Sequence, residues 1–151
     1  MPRHSPEMFL SLLPATGVVL ALDISKKRIG IATTDPARTM ALPVQTIIRT
    51  KWAADMAALL AIVTDKSAIG LAIGLPINMD GKQGPAAQSA LTVASKIDQF
   101  MADAGKILPY VMVDERLSTH AARDRLDGTS AEKTMEDQVA ACLLLEQLFK
   151  I

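Results

Sequence analysis

Three short apolar runs constrain this chain more than any other feature. Residues 18–22, 68–73 and 107–113 are apolar almost throughout and too short for helices, and the first and last run into acidic residues, Asp23 and Asp114-Glu115. A strand without a wet face must lie inside a sheet covered on both sides. Residues 29–34 read as a further strand. The polar Ser25-Lys26-Lys27-Arg28 link to it is short, so the two strands form an antiparallel hairpin. Residues 44–49 are a third strand candidate, with Val44, Thr46 and Ile48 alternating against Gln45 and Ile47. The period then changes. Trp52, Met56, Leu59, Leu60 and Val63 fall at helical spacing and predict a helix over 51–66. Gly84-Pro85 opens a second helix with an Ala87, Leu91, Ala94, Ile97 and Met101 stripe, ended by Gly105. Ser118 can cap a short helix to about residue 126. Thr129 with Glu132 has capping-box spacing for a last helix to about residue 149. This order predicts an α/β protein: a mixed β-sheet with helices on both faces. Residues 1–16, with Pro2, Pro6 and Pro14, read as a loosely packed arm before one domain over 17–151.

Composition removes several function classes. Half of the 151 residues are hydrophobic and 21% are charged, which excludes wholesale disorder. Sixteen basic residues balance sixteen acidic ones, so no global electrostatic grip on nucleic acid operates, though a local basic patch is compatible with neutrality. One cysteine, Cys142, excludes an internal disulfide, and two histidines, His4 and His120, are too few for a zinc site of ordinary type. One Trp, one Tyr and three Phe supply few platforms for stacking bases. No apolar run reaches membrane-spanning length. Residues 8–22 contain Pro14 and Gly17 and lead into Asp23 without a small-residue cleavage site, so a cytoplasmic protein is expected. His120 after Ser118-Thr119 lacks the surroundings of a nucleophile elbow and reads as a surface helix residue. Cys142, in an apolar helical segment, reads as inert core, and Trp52 as a core anchor.

Three acidic positions stand out by context: Asp23 ends one buried strand, Glu115 follows another, and Asp137 lies near the start of the last helix, before an apolar run. Carboxylates at the end of buried strands sit at the sheet rim, where α/β proteins place ligand sites. Three converging carboxylates repel one another, and hard divalent cations such as Mg²⁺ or Mn²⁺ relieve that repulsion. The alternative is plain: acidic residues end strands because loops are wet, and Asp137 could be a helix-start residue favoured by the dipole. Lys26, Lys27 and Arg28, beside Asp23, are candidates for phosphate contact or an ordinary solvated turn. Arg116 could bind a phosphate or pair with a carboxylate. In the 74–84 loop, which precedes a helix N-terminus, Asn78 is the side chain best able to touch a nucleotide.

Leu22-Asp23-Ile24-Ser25-Lys26-Lys27-Arg28-Ile29-Gly30 resembles the opening motif of the YqgF-type pre-16S rRNA nuclease family, once described as Holliday-junction-resolvase-like. Gly74-Leu75-Pro76-Ile77-Asn78-Met79-Asp80-Gly81 with Gly84-Pro85 and Gln88 resembles its second motif. Asp114-Glu115-Arg116-Leu117-Ser118-Thr119 resembles its third, and Asp137-Gln138-Val139-Ala140-Ala141 its C-terminal aspartate motif. The resemblance covers about residues 17–149. It implies a ribonuclease-H-like fold and a divalent-metal nuclease site, with Mg²⁺ or Mn²⁺ on Asp23, Glu115 and Asp137 and Asp114 behind them. Two departures stand out. Ser25 occupies a position where the family has glycine, and the segment before Asp137, usually basic, offers Lys133 between Glu132 and Glu136.

The resemblance therefore implies a hydrolase, a metal-dependent endonuclease processing the 5′ end of precursor 16S rRNA, as a monomer or homodimer that could meet ribosomal particles. Cleavage of branched DNA junctions is the alternative within nucleases. A non-catalytic RNA-binding module associated with ribosomes or transcription is the alternative outside them; Ser25 and neutral charge favour it, and three acidic ligands oppose it. An actin-like or sugar-kinase-like ATPase needs two domains around its nucleotide, which 151 residues do not supply.

Overall fold

The computed structural model describes residues 3–76, 82–115 and 130–151. Strands β1 (Arg3–His4), β2 (Val19–Ile24), β3 (Arg28–Thr34), β4 (Ala41–Ile48), β5 (Gly70–Leu75) and β6 (Tyr110–Asp114) form one sheet in the order β1-β6-β5-β2-β3-β4. β2 and β3 are the expected antiparallel hairpin, β4 continues it antiparallel, and β5, β6 and β1 run parallel to β2. Helices α2 (Trp52–Lys66) and α3 (Pro85–Asp103) cover one face, and α1 (Pro6–Leu12) and α4 (Ser130–Phe149) the other.

Side-chain alternation assigns the faces. Leu20, Leu22, Leu71, Ile73, Tyr110 and Met112 pack with α2 and α3. Val19, Ala21, Ala72, Val111 and Val113 pack with α1 and α4. Each central strand is thus apolar on both faces, which is why these strands read as unbroken runs. The α4 side is lined by smaller residues, including Ala21, Ala32 and Ala72, so α4 lies close to the sheet. Its first turns are pinned there by two bonds: the Thr46 hydroxyl donates to the Thr134 carbonyl at 2.7 Å, and Gln138 donates to the Thr46 hydroxyl at 3.2 Å.

Two expectations need correction. The N-terminal segment is not loose over its described part: β1 extends the sheet beside β6, Ser5 caps α1 through the Met8 N–H, and Phe9 is fully buried. The simple alternation expected for β4 also fails. A register shift between Ile31 and Ala32 leaves Val44 without a partner, so Ile47 is buried while Ile48 is exposed. The expected short helix over 118–126 lies outside the described residues.

Candidate active site

The site is built on a row of residues crossing the sheet. Asp23, two residues after Ala21, projects from β2 on the α4 face. It is paired with Gly30 on β3, and the Leu22–Ile73 pairing sets it level with Gly74 on β5. The positions on either side of Asp23 therefore carry no side chain, and both spaces are taken. A Cβ on Gly74 would clash with the Glu115 Oε2 and lie 3.2 Å from its Cδ. A Cβ on Gly30 would clash with the Asp137 carbonyl and lie 2.6 Å from the Asp137 Cβ. Two glycines thus admit Glu115 from the end of β6 and the α4 backbone at Asp137, each beside Asp23. The Glu115 N–H donates to the Leu75 carbonyl at 3.2 Å, which continues the β5–β6 pairing and fixes the residue's height above Gly74.

All three carboxylates are buried: Asp23 is 1%, Asp137 4% and Glu115 7% exposed. Asp137 lies two turns into α4, so it is not the helix-start residue that the dipole alone would favour. Glu115 and Asp137 open onto a cavity of about 380 Å³, also lined by Ile24, Ser25, Arg28, Pro76, Ala86, Lys133 and Glu136. The more deeply buried Asp23 is not part of that lining. Arg28 donates from Nε to the Asp137 Oδ2 at 2.6 Å, an ion pair in which the arginine is a quarter exposed and the aspartate almost fully enclosed. Among the described residues no three carboxylate, histidine or cysteine side chains close into a ready set of ligands for one ion. The three carboxylates share a rim, while Asp137 directs one oxygen to Arg28.

Lys26 and Lys27 are exposed on the β2–β3 turn. Lys133 is exposed at the cavity edge, one helical turn before Asp137. Asn78 and Arg116 lie outside the described residues. The Ser25 backbone is not in the left-handed region. Its hydroxyl accepts the Arg28 N–H at 3.2 Å and donates to the Arg28 carbonyl at 3.1 Å. Serine therefore closes the turn through bonds glycine does not have. Glu136, which the sequence marks only as a flank of Lys133, is buried and lines the cavity; its place one turn after Lys133 is the available signal.

A six-stranded mixed sheet with this strand order and helices on both faces is a ribonuclease-H-like fold, here with acidic side chains at one rim. The chain belongs to the RuvX Holliday junction resolvase family, whose pattern it matches over residues 17–151. A Paracoccus denitrificans protein named "Putative pre-16S rRNA nuclease" is 46% identical over 144 residues, covering 93% of this chain and 88% of the relative. A protein of the same name from Cereibacter sphaeroides is 42% identical over 150 residues, covering 97% and 91%. In fold, the chain is similar to Thermus thermophilus RuvC, with a TM-score of 0.52 at 11% identity, covering 88% of this chain and 96% of that one. It matches RuvC in complex with a Holliday junction substrate equally, at 0.52 and 11%, over 89% and 94%.

Proposed function

We propose that this chain, through residues 17–151, is a divalent-metal-dependent endonuclease processing the 5′ end of precursor 16S rRNA in the cytoplasm. The observation that carries this reading is the meeting of Asp23, Glu115 and Asp137 across two glycine positions at one rim. The names of the relatives support RNA as substrate. The family description keeps branched DNA as the second reading. Three buried carboxylates at one rim, of which Asp137 is paired with Arg28, speak against a non-catalytic module, because burying negative charge costs stability unless a cation compensates it. The donors fit Mg²⁺ or Mn²⁺ in kind, all being hard carboxylate oxygens.

Asp23, Glu115 and Asp137 would hold the ion, which when bound supplies Lewis acidity for attack of water on phosphorus. Arg28 and Lys133 line the same cavity and are suited to orient the phosphodiester and offset its charge. Water forms the new bond to phosphorus as the bond to the leaving ribose oxygen breaks; the water gives up a proton and the leaving oxygen takes one. Lys26 and Lys27, with Asn78 and Arg116, are proposed to hold flanking backbone. Among the described residues no helix is long and apolar enough to cross a membrane. Ribosomal particles are the proposed setting, with a monomer or homodimer as the unit.

The test is incubation of the full chain with precursor rRNA fragments and with four-way DNA junctions, under Mg²⁺, Mn²⁺ or chelator. RNA cleavage that needs the cation and is lost in Asp23→Asn is expected. Millimolar Mn²⁺ should raise the melting temperature of the wild type, and Asp23→Asn/Glu115→Gln should lose most of that rise. RNA binding indifferent to chelator, with no metal stabilisation and no cleavage, would overturn the reading.

A further inference from the structure

A second cavity, of about 370 Å³, adjoins the acidic one and shares four of its walls, Ile24, Ser25, Pro76 and Ala86. Its charge balance differs. Among the described residues Lys26 and Arg49 line it and no carboxylate does, whereas Glu115, Glu136 and Asp137 line its neighbour together with Arg28 and Lys133. The rest of its wall is mainly apolar, with Pro85, Ala90 and Val93 of α3.

Arg49 is held in place by the protein itself. Its Nη1 donates to the Ser25 carbonyl at 2.6 Å, and its backbone N–H donates to the Lys27 carbonyl at 2.8 Å. The end of β4 is thereby tied to the β2–β3 turn that separates the two cavities. A guanidinium has five donors in a fixed fork. Only Nη1 is engaged with a described residue, and Arg49 makes no ion pair among them. A side chain already ordered, with donors to spare and an apolar wall opposite, is pre-organised for a group that is anionic on one side and apolar on the other.

We propose that this cavity holds the nucleotide next to the scissile phosphate, with its phosphodiester on Arg49 and Lys26 and its sugar against the α3 wall. The proposal rests on the nuclease reading, which sets the scissile phosphate over the acidic rim. The shared walls make the occupant an immediate neighbour in the chain, and the volume is in the range of small-ligand sites. Among the described residues no side-chain amide, carboxylate or aromatic ring lines the cavity, and the two cations that do, Arg49 and Lys26, are suited to grip the nucleotide by its backbone.

The experiment measures binding of the full chain to labelled precursor-rRNA hairpins by fluorescence anisotropy in chelator, over a range of salt. Arg49→Gln should weaken binding about tenfold and make the log–log salt dependence shallower by about 1, one released counterion near 0.1 M salt being worth that factor. Arg49→Lys should recover most of the loss. Lys66→Gln removes the same charge about 22 Å along α2 from its start and should change nothing. Because Arg49→Gln also cuts the bond to Ser25, Ser89→Glu is an independent arm. Ser89 lines the cavity from an exposed position on α3, so the fold should survive, and binding should again fall about tenfold. With Mg²⁺, the Arg49→Gln effect should fall on KM, with kcat within about twofold. Wild-type affinity and salt slope in both Arg49→Gln and Ser89→Glu would overturn the proposal, as would losses that depend on which base is present. Loss of binding in these variants, from a wild type that never cleaves, would sink the nuclease reading while this nucleic-acid site stood.

Discussion

Gly74→Ala tests whether the site geometry rests on glycine, and Gly30→Ala is its internal control. At Gly74 the new methyl would meet the end of a side chain: the Glu115 carboxylate, with Cδ at 3.2 Å, and Leu144 Cδ1 at 3.3 Å. A carboxylate on a flexible stem can swing aside, so the packing cost is small. Part of it is offset by the reduced freedom of the unfolded chain, worth about 0.4–1 kcal/mol. The net destabilisation should stay within about 1–2 kcal/mol. Activity should suffer far more, because displacing a reacting group by about 1 Å can cost ~100-fold in rate. At Gly30 the obstruction is the helix backbone at Asp137, which cannot swing. To relieve it α4 must rise from β3 and stretch the Thr46–Thr134 bond, for a loss of about 3 kcal/mol or more. Urea unfolding and the precursor-rRNA cleavage assay together decide the matter. Gly74→Ala should be folded and nearly inactive, and Gly30→Ala markedly less stable. A Gly74→Ala enzyme with wild-type rates would refute the claim that Glu115 must lie over that glycine.

Arg28→Gln removes the cation beside a carboxylate that is 4% exposed, and should cost about 1–3 kcal/mol at neutral pH by urea denaturation. It should also enlarge the melting-temperature rise produced by Mn²⁺, since the Asp137 oxygen no longer has a competing partner; an unchanged rise would show that Arg28 and the ion do not compete. Ser25→Gly deletes both hydroxyl bonds to Arg28, so it should destabilise the turn by about 1 kcal/mol and lower the cleavage rate; a faster enzyme would mean that serine had been obstructing the phosphate. Burial pushes the Cys142 thiol up to about 11, with Glu146 adding to the shift. At pH 8 its thiolate fraction should be about 100-fold below that of the unfolded chain, and mass spectrometry should show native-state alkylation slower by that order. The thiol stays protonated longer in the folded state, so its contribution to stability should decline as pH rises from about 9 toward 11.

The strands were legible because burial on both faces leaves an uninterrupted apolar signature, and the acidic residues at their ends broke it at the rim. Asp23 and Glu115 could therefore be found without knowing the sheet order. What joins them was not legible. In the sequence Gly30 and Gly74 are only members of two motifs, and the register is what places them on either side of Asp23. The Arg28–Asp137 pair spans 109 positions, beyond any periodicity. Arg49 looked like the end of a strand, because its bond to Ser25 depends on β4 lying beside β3. The N-terminal segment was misread by giving weight to its prolines alone. Ser5 followed by Pro6 is a helix start, and the proline at the first turn loses no hydrogen bond there. The β4 alternation was misread because a bulge changes face without marking the sequence.

Neutral net charge and nucleic-acid chemistry are reconciled by where the charges lie. Sixteen acids and sixteen bases cancel over the chain, so binding cannot come from a uniform field. At this rim the acidic residues are confined to one side of the β2–β3 turn, while cations stand on both. The carboxylates of Glu115, Glu136 and Asp137 face one cavity, Lys26 and Arg49 the other, and Ser25 borders both. Arg28 and Lys133 also line the acidic cavity, Arg28 with its Nε committed to Asp137. In the acidic pocket three carboxylates outnumber the two cations, so a polyanion meets net repulsion there. One that places its neighbouring phosphate on the basic side gains there the attraction that offsets this repulsion, over a distance shorter than the Debye length of about 8–10 Å. Substrate affinity should then depend more steeply on the few charges around the β2–β3 turn than on the charge of the whole chain. Removing a cation from that turn should be felt where removing one elsewhere is not.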